Sequence, residues 1–424
     1  MAFLITSGGS SRRERTPSMT AALWTAAAIG LLLRLAFGLG YWIDKPLTQD
    51  EREYLSLARS LSAGRGFTYD AAVLDAPVEP VGRAPGYPAF LALVGGGRRP
   101  VEHVPAAVKA AQSIVGAIGV LLVAAIARRL AGPRAAAAAA FVAACYPPLV
   151  WISAYALSEV LVWPIGLVLV WLFDRAGAPP GEPRLRWAVC GAWAGLAALV
   201  HPALVFFVPI AAAFLLWRRL WTAAPLFVLG AALAIAPWTV RNLREHGRFE
   251  LIASEGGVTF WTGNNALARG EGDLAANPAL GLEKQALRAR YGNLPADRME
   301  PVYYREALAW MAAHPIAWLV LEARKAFYLF VPAGPSYRLH SARYYWLSVV
   351  SYGLLLPVGL LGLRRLRLRF REAPGLWLLA CASIAAALVF FPQERFRLPV
   401  IDPALVICAG AAIGAPYERS PTTA

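Results

Sequence analysis

Residues 48–67 read TQDEREYLSLARSLSAGRGF, and the adjacent acids Asp50 and Glu51 open a helical pattern directly after an apolar stretch. A carboxylate held rigidly at a lipid–water boundary can take a proton from a hydroxyl within hydrogen-bond reach, which is general base chemistry. The same pair also suits the helix itself. Thr48 followed three residues later by Glu51 has capping-box spacing, and acids in a first turn are stabilised by the helix dipole. A second set of polar residues lies in short motifs elsewhere: Arg83 and Tyr87 in RAPGYPAFLAL, Glu159 in AYALSEVLVWP, His201 in LVHPAL, Arg241 in APWTVRNLREHGRF, and Asn264 and Asn265 in GGVTFWTGNN. QERFRLPV adds Arg395 and Arg397. Arginine's planar fork matches phosphate, so arginines near a membrane surface fit a lipid phosphate as well as ordinary headgroup anchoring. Glu159 at the mouth of an apolar segment either caps that helix or serves a site, since ionisable groups at membrane depth are functional candidates.

These residues must be positioned by membrane elements. Of 424 residues, 58% are hydrophobic and 16% charged, and the mean hydropathy is +0.50, too apolar for an ordinary soluble protein. The net charge of +15 comes largely from arginines between apolar segments, the positive-inside distribution, which argues against nucleic acid as a partner. Cys145, Cys190, Cys381 and Cys408 lie inside apolar runs without Cys-x-x-Cys spacing, so neither disulfides nor zinc are expected. His103, His201, His246, His314 and His340 form no spaced ligand set, and no spacing calls for a cofactor or metal.

Spanning helices of roughly 20 apolar residues are expected near 20–42, 106–127, 135–152, 157–173, 186–200, 202–217, 221–239, 344–363, 374–392 and 398–416. The chain is thus expected to be an all-α polytopic membrane protein of about ten spans. The run 186–217 divides at His201–Pro202, with arginines at both ends. Short segments assigned to one side carry sixteen arginines, while the opposite turns at 153–156 and 200–202 carry none; this places the N-terminus in the cytoplasm. Parity then keeps 302–333 from crossing, and Glu322, Arg324 and Lys325 suit a helix lying at the interface.

The organisation expected is a flexible cytoplasmic N-terminus (1–18), an N-terminal membrane module (19–239) with a first external loop (43–105), a large external segment with an interfacial helix (240–343), C-terminal membrane helices (344–416) and a flexible tail (417–424). Within the first loop, Tyr54, Leu57, Ala58 and Leu61 share one helical face. The spacing predicts a helix over 49–63 lying along the membrane and ended by Gly64 or Gly66.

Taken in order, QDEREYLSLARSLSAGRGF, RAPGYPAFLAL, AQSIVGAIGVLLVAAIARRLAG, LSEVL, LAALVHPALVFFVP, APWTVRNLREHGRF, GGVTFWTGNN and ERFRLPV resemble glycosyltransferase family 39. Its type C membrane fold is shared by protein O-mannosyltransferases and the bacterial transferase that adds aminoarabinose to lipid A. The match runs through most of the chain. One departure is Val200-His201-Pro202, where relatives commonly have Thr-Arg-Pro.

The resemblance implies inverting transfer from a sugar on a polyprenyl phosphate, a cosubstrate rather than a bound cofactor, at the outer face of a bacterial inner membrane. It matches Asp50 to the family's first-loop carboxylate, as general base, with Glu51 its neighbour. Arg83, Arg241, Arg395 and Arg397 become candidates to neutralise the departing phosphate. Glu159, Asn264 and Asn265, with Tyr87 and His201, become candidates for sugar or acceptor. The sugar, the acceptor (protein hydroxyl, lipid or envelope glycan) and any divalent metal stay open. A transporter or flippase of polyprenyl-linked sugars is the alternative; it predicts a site near mid-membrane with access from both sides.

Overall fold

A computed structural model describes residues 17–70, 74, 82–97, 102–177, 184–272, 274–334, 341–369 and 373–414. The tail at 417–424 lies outside these residues, as does the N-terminal segment at 1–18 except for its last two positions. In chain order the helices are α1 (Pro17–Leu35, continued by a π-helical turn, Ala36–Tyr41), α2 (Gln49–Ser62), α3 (Gly86–Leu93), α4 (Ala106–Ala131), α5 (Pro133–Cys145) and α6 (Pro147–Trp151). Next come α7 (Glu159–Ala176), α8 (Leu185–Val200), α9 (Phe207–Trp217), α10 (Ala223–His246), α11 (Gly256–Gly263) and α12 (Pro278–Arg290). The last are α13 (Ala296–Ala313), α14 (Pro315–Phe330), α15 (Ala342–Leu366), α16 (Gly375–Val389), α17 (Glu394–Arg397) and α18 (Ile401–Ile413). No strand occurs among the described residues. The chain is an all-helical, multi-pass membrane protein.

Each of the ten apolar segments is helical. Met19–Tyr41, α4, α10 and α15 are long and apolar enough to cross a membrane. The segment expected as one span over 135–152 is instead bent by 62° between Pro133–Cys145 and Pro147–Ala154, because Pro147 and Pro148 cannot continue α5 and start a new helix. Leu185–Val200, Pro202–Trp217, α16 and α18 are shorter apolar helices. His201, in extended backbone, separates the first two of these from each other.

Small residues let the helices approach. A Cβ on Gly191 of α8 would lie 1.8 Å from the Phe227 carbonyl of α10, and one on Gly230 of α10 would lie 2.1 Å from the Ala188 carbonyl. Close backbone contact of this kind drives association where lipid removes the hydrophobic difference. Residues 401–411 of α18 are all buried, making it the central helix, packed on α15, α5 and α4. All four cysteines are free.

The segment 302–333 is two helices, α13 and α14, divided at His314–Pro315. Proline at the second helix's first turn lacks the N–H that the preceding helix would need. In α14, Lys325 is fully buried and donates to Asn264 Oδ1 (2.9 Å), Glu322 Oε1 (2.7 Å) and the Leu388 carbonyl (2.8 Å), tying this helix to α11 and α16.

Candidate active site

Helix α2 starts through a complete capping box. Thr48 N donates to Glu51 Oε2 (2.8 Å) and Glu51 N to Thr48 Oγ1 (3.3 Å). Glu51 Oε1 also accepts from Ala156 N at 2.9 Å, and the residue is 2% exposed. Glu51 therefore joins the helix start to the loop before α7, and it does not line the cavity described below. Tyr54, Leu57 and Ala58 are buried as their spacing suggests, but Leu55, Ser56 and Ser60 are buried too. The helix is covered on more than one face, packing on α3, rather than simply resting along a surface. It ends where Gly64 adopts φ +72°, letting Arg65 N donate to the Ser60 carbonyl at 2.9 Å.

With the cap fixed, Asp50 points into a cavity of about 910 Å³. Helix ends and turns build its polar wall: Asp50 and Glu53 from α2, Arg83 before α3, Glu159 as first residue of α7, His201 after α8, and Arg395 in α17. Gly86 makes one of these approaches possible, since a Cβ there would sit 2.9 Å from the Leu199 carbonyl; this brings the Arg83 loop beside the end of α8 and His201. Leu157, Val162, Ala387, Phe390, Phe391 and Val400 add apolar lining to the same cavity.

Two arginines share Asp50. Arg83 Nη2 donates to Asp50 Oδ1 at 2.5 Å, and Arg395 Nη1 to Asp50 Oδ2. Arg83 also holds Glu53 Oε2 through Nη2 (2.5 Å) and Nε (2.8 Å), with Glu255 Oε1 3.3 Å from its Nε. Arg395 Nε lies 3.8 Å from Glu159 Oε1 and donates to Gln393 Oε1 at 2.9 Å. Burial would raise the Asp50 carboxyl, but the charges of Arg395 and Arg83 outweigh it and hold the group well below the usual carboxylate range. Asp50 is thus ionised, the state a base must have. Ser158 Oγ lies 3.0 Å from His201 Nδ1 and donates to Glu159 Oε2 (3.3 Å), while Tyr54 OH donates to Ser158 Oγ (3.3 Å).

Of the residues singled out from sequence, Asp50, Arg83, Glu159, His201 and Arg395 meet in this cavity. Tyr87 is fully buried and donates to Gln112 Oε1 (2.6 Å), outside the lining. Arg241 bonds Asn242, His246 and the Phe67 carbonyl and stacks on Trp238. Asn264 donates to the Phe260 and Val389 carbonyls, while Asn265 donates to the Trp261 carbonyl and accepts from Leu267 N. Arg397 pairs with Asp402 (2.9 Å) under the Tyr352 ring. None of these five lines the cavity.

The cavity also holds residues that sequence reasoning passed over: Glu53, Glu255, Lys284, Arg288 and Glu300. Glu53 was within reach of it, being three residues from Asp50 and so on the same helical face. Among the described residues no group of three His, Cys, Asp or Glu is placed to hold a metal ion.

Residues 100–240 match the family model of dolichyl-phosphate-mannose-protein mannosyltransferases. No curated protein matches the chain in sequence. Among solved structures, the Archaeoglobus fulgidus oligosaccharyltransferase AglB, in complex with an inhibitory peptide and a dolichol-phosphate, is similar over 94% of this chain and 50% of its own, at 14% identity and TM-score 0.55. The same enzyme tethered to an acceptor peptide gives 15% identity over 94% and 49%, with TM-score 0.58. ArnT from Cupriavidus metallidurans bound to undecaprenyl phosphate gives 15% identity over 95% and 78%, with TM-score 0.43. The chain spans about half the length of the oligosaccharyltransferase it resembles. At these identities the likeness is one of fold. The chain has the fold of the type C membrane glycosyltransferases, and it contains a segment, 100–240, of the mannosyltransferase family pattern.

Proposed function

We propose that the chain is an inverting glycosyltransferase that moves a sugar from a polyprenyl-phosphate donor to an acceptor hydroxyl on a protein, lipid or envelope glycan. The observation that carries this reading is Asp50 held between Arg83 and Arg395 in a cavity lined by both charged and apolar residues. The apolar lining suits the lipid beside the donor phosphate, and Arg395 follows the lining residues Phe390 and Phe391 in sequence.

In the reaction Asp50 accepts the acceptor's hydroxyl proton as that oxygen bonds to the anomeric carbon. The bond from that carbon to the phosphate oxygen breaks on the opposite face, its electron pair staying with the polyprenyl phosphate, so the centre inverts. Arg395 and Arg83 neutralise charge growing on the leaving phosphate. A phosphate that draws Arg395 away from Asp50 also makes Asp50 a better base, because one of the charges holding its proton affinity down is then shared. Glu159 and His201 line the remaining wall and suit sugar hydroxyls.

The site is formed from the ends of α2, α7, α8 and α17, at one end of the bundle. This supports transfer at one membrane face over transport through the middle. The accompanying topology has the N-terminus in the cytoplasm, the site facing outward from a bacterial inner membrane, and 240–343 as an external segment over the cavity.

The test is to reconstitute the full chain in liposomes with labelled sugars on undecaprenyl phosphate and to supply envelope glycan, lipid or protein acceptors. Label should appear on an acceptor with inverted anomeric configuration. Label that crosses the bilayer and stays on its carrier would contradict transfer.

A further inference from the structure

We propose that Arg397 and Asp402 are positioning residues of the transferase: they orient α17 so that Arg395, in the same short helix, meets the donor phosphate. This rests on reading Arg395 as a phosphate ligand and adds what aims it. Helix α17 has only four residues, Glu394–Arg397, too few for its own backbone bonds to fix its direction. Its side chains divide between two faces. Arg395 and Phe396 line the cavity, with the guanidinium of the first 5.0 Å from the ring centre of the second. Glu394 and Arg397 lie one helical turn apart and so share a face, and they hold to the bundle rather than line the cavity.

The bundle contacts are made to three helices. Glu394 accepts from Ser348 Oγ of α15. Arg397, 1% exposed, has its guanidinium 3.5 Å from the ring centre of Tyr352, also of α15, and donates through Nε to Asp402 Oδ1 at 2.9 Å. Asp402 is fully buried in the first turn of α18, and its Oδ2 accepts from Tyr146 OH at 2.9 Å, just past the end of α5. A buried ion pair often adds little net stability over apolar side chains of similar size, because desolvating both charges offsets their attraction. What this pair supplies is direction: a charge-assisted hydrogen bond restricts the angle at which α17 docks more than apolar contact does. Through it, the cation beside Asp50 is aligned on α18, the central helix of the fold.

The experiment measures equilibrium binding of undecaprenyl phosphate to the purified full chain in nanodiscs, with thermal unfolding midpoints as the check on folding. Tyr146→Phe/Arg397→Met/Asp402→Leu removes the buried polar groups together and orphans none of them. Its midpoint should stay within about 5 °C of the parent's, while binding weakens at least about fivefold, toward the loss of about tenfold expected of Arg395→Gln. Arg397→Gln/Asp402→Asn puts an amide nitrogen where Arg397 Nε stands and keeps a carbonyl oxygen to accept from it, so its binding should stay within about twofold of the parent's. Adding the triple substitution to Arg395→Gln should weaken binding by less than about twofold more, because the group being aimed is already gone. Parental affinity in the folded triple variant, its failure to fold, an amide pair as weak as the apolar one, or a loss that adds in full to that of Arg395→Gln would overturn the proposal and leave the donor reading standing. Parental affinity in Arg395→Gln itself would sink the donor reading, and the proposal with it.

Discussion

Asp50 and Arg395 form an ion pair across 345 residues of chain, so the polar wall exists only when α17 has docked against the start of α2. The pair also ties the proposed base to the proposed phosphate ligand.

Arg395→Gln should therefore weaken undecaprenyl phosphate binding by about tenfold and lower transfer by about 10²–10³, the usual cost of removing one donor to developing negative charge. Arg395→Lys should recover part of the binding and less of the rate, because an ammonium supplies charge without the planar fork. Thermal shift with the lipid and an initial-rate assay check this. Equal rates for Gln and parent would remove Arg395 from the site.

Glu51 has its two carboxylate oxygens engaged by Thr48 and Ala156. Glu51→Ala should lower stability by about 2–3 kcal/mol, through loss of the cap and an orphaned buried amide at Ala156. Glu51→Gln should cost less, since its single carbonyl oxygen still accepts. An unfolding midpoint for Glu51→Ala equal to the parent's would contradict the structural role.

Glu300 accepts from Gly257 N (2.9 Å) and Val258 N (3.2 Å) at the start of α11, and burial, opposed by those two amides, pushes its carboxyl up to about 7. Its folded pKa exceeds the ordinary 4.5. The contribution to stability is then fully present below about pH 4.5 and lost as pH rises through about 7. Relative to Glu300→Gln, the parent should lose on the order of 2 kcal/mol across that window. Unfolding curves at pH 5 and pH 8 measure it. A difference between parent and variant that stays constant with pH would refute the shift.

The spans were legible because long apolar runs bounded by arginine have few other uses. The Thr48–Glu51 cap and the Gly64 stop were legible for the same reason, as local chemistry at fixed spacing. The bend at Pro147–Pro148 follows from residues in plain view, yet continuous hydropathy across 135–152 masked it. Asn264, Asn265, Arg241 and Arg397 looked like site residues because polar groups near apolar segments invite that reading; in the structure their bonds go to backbone carbonyls, a neighbouring carboxylate or histidine. These partners lie four or five residues away along the chain, and which way each side chain turns is settled by how the local helix end is packed, which periodicity does not encode. Glu255, Lys284 and Arg288 were passed over for the converse reason: they sit in polar surroundings where a charge attracts no notice, and only the docking of α11 and α12 brings them to the cavity that Asp50 lines.

The most direct measurement is transfer by Asp50→Asn. Asparagine keeps the size, and its one carbonyl oxygen can still accept from Arg83 or from Arg395 though its NH2 group cannot, but it takes no proton from a hydroxyl at neutral pH. The account predicts that Asp50→Asn folds, binds undecaprenyl phosphate, and transfers labelled sugar at least about 10²-fold more slowly than the parent. Transfer at the parental rate by the folded variant would show that Asp50 is an ion-paired helix residue and nothing more.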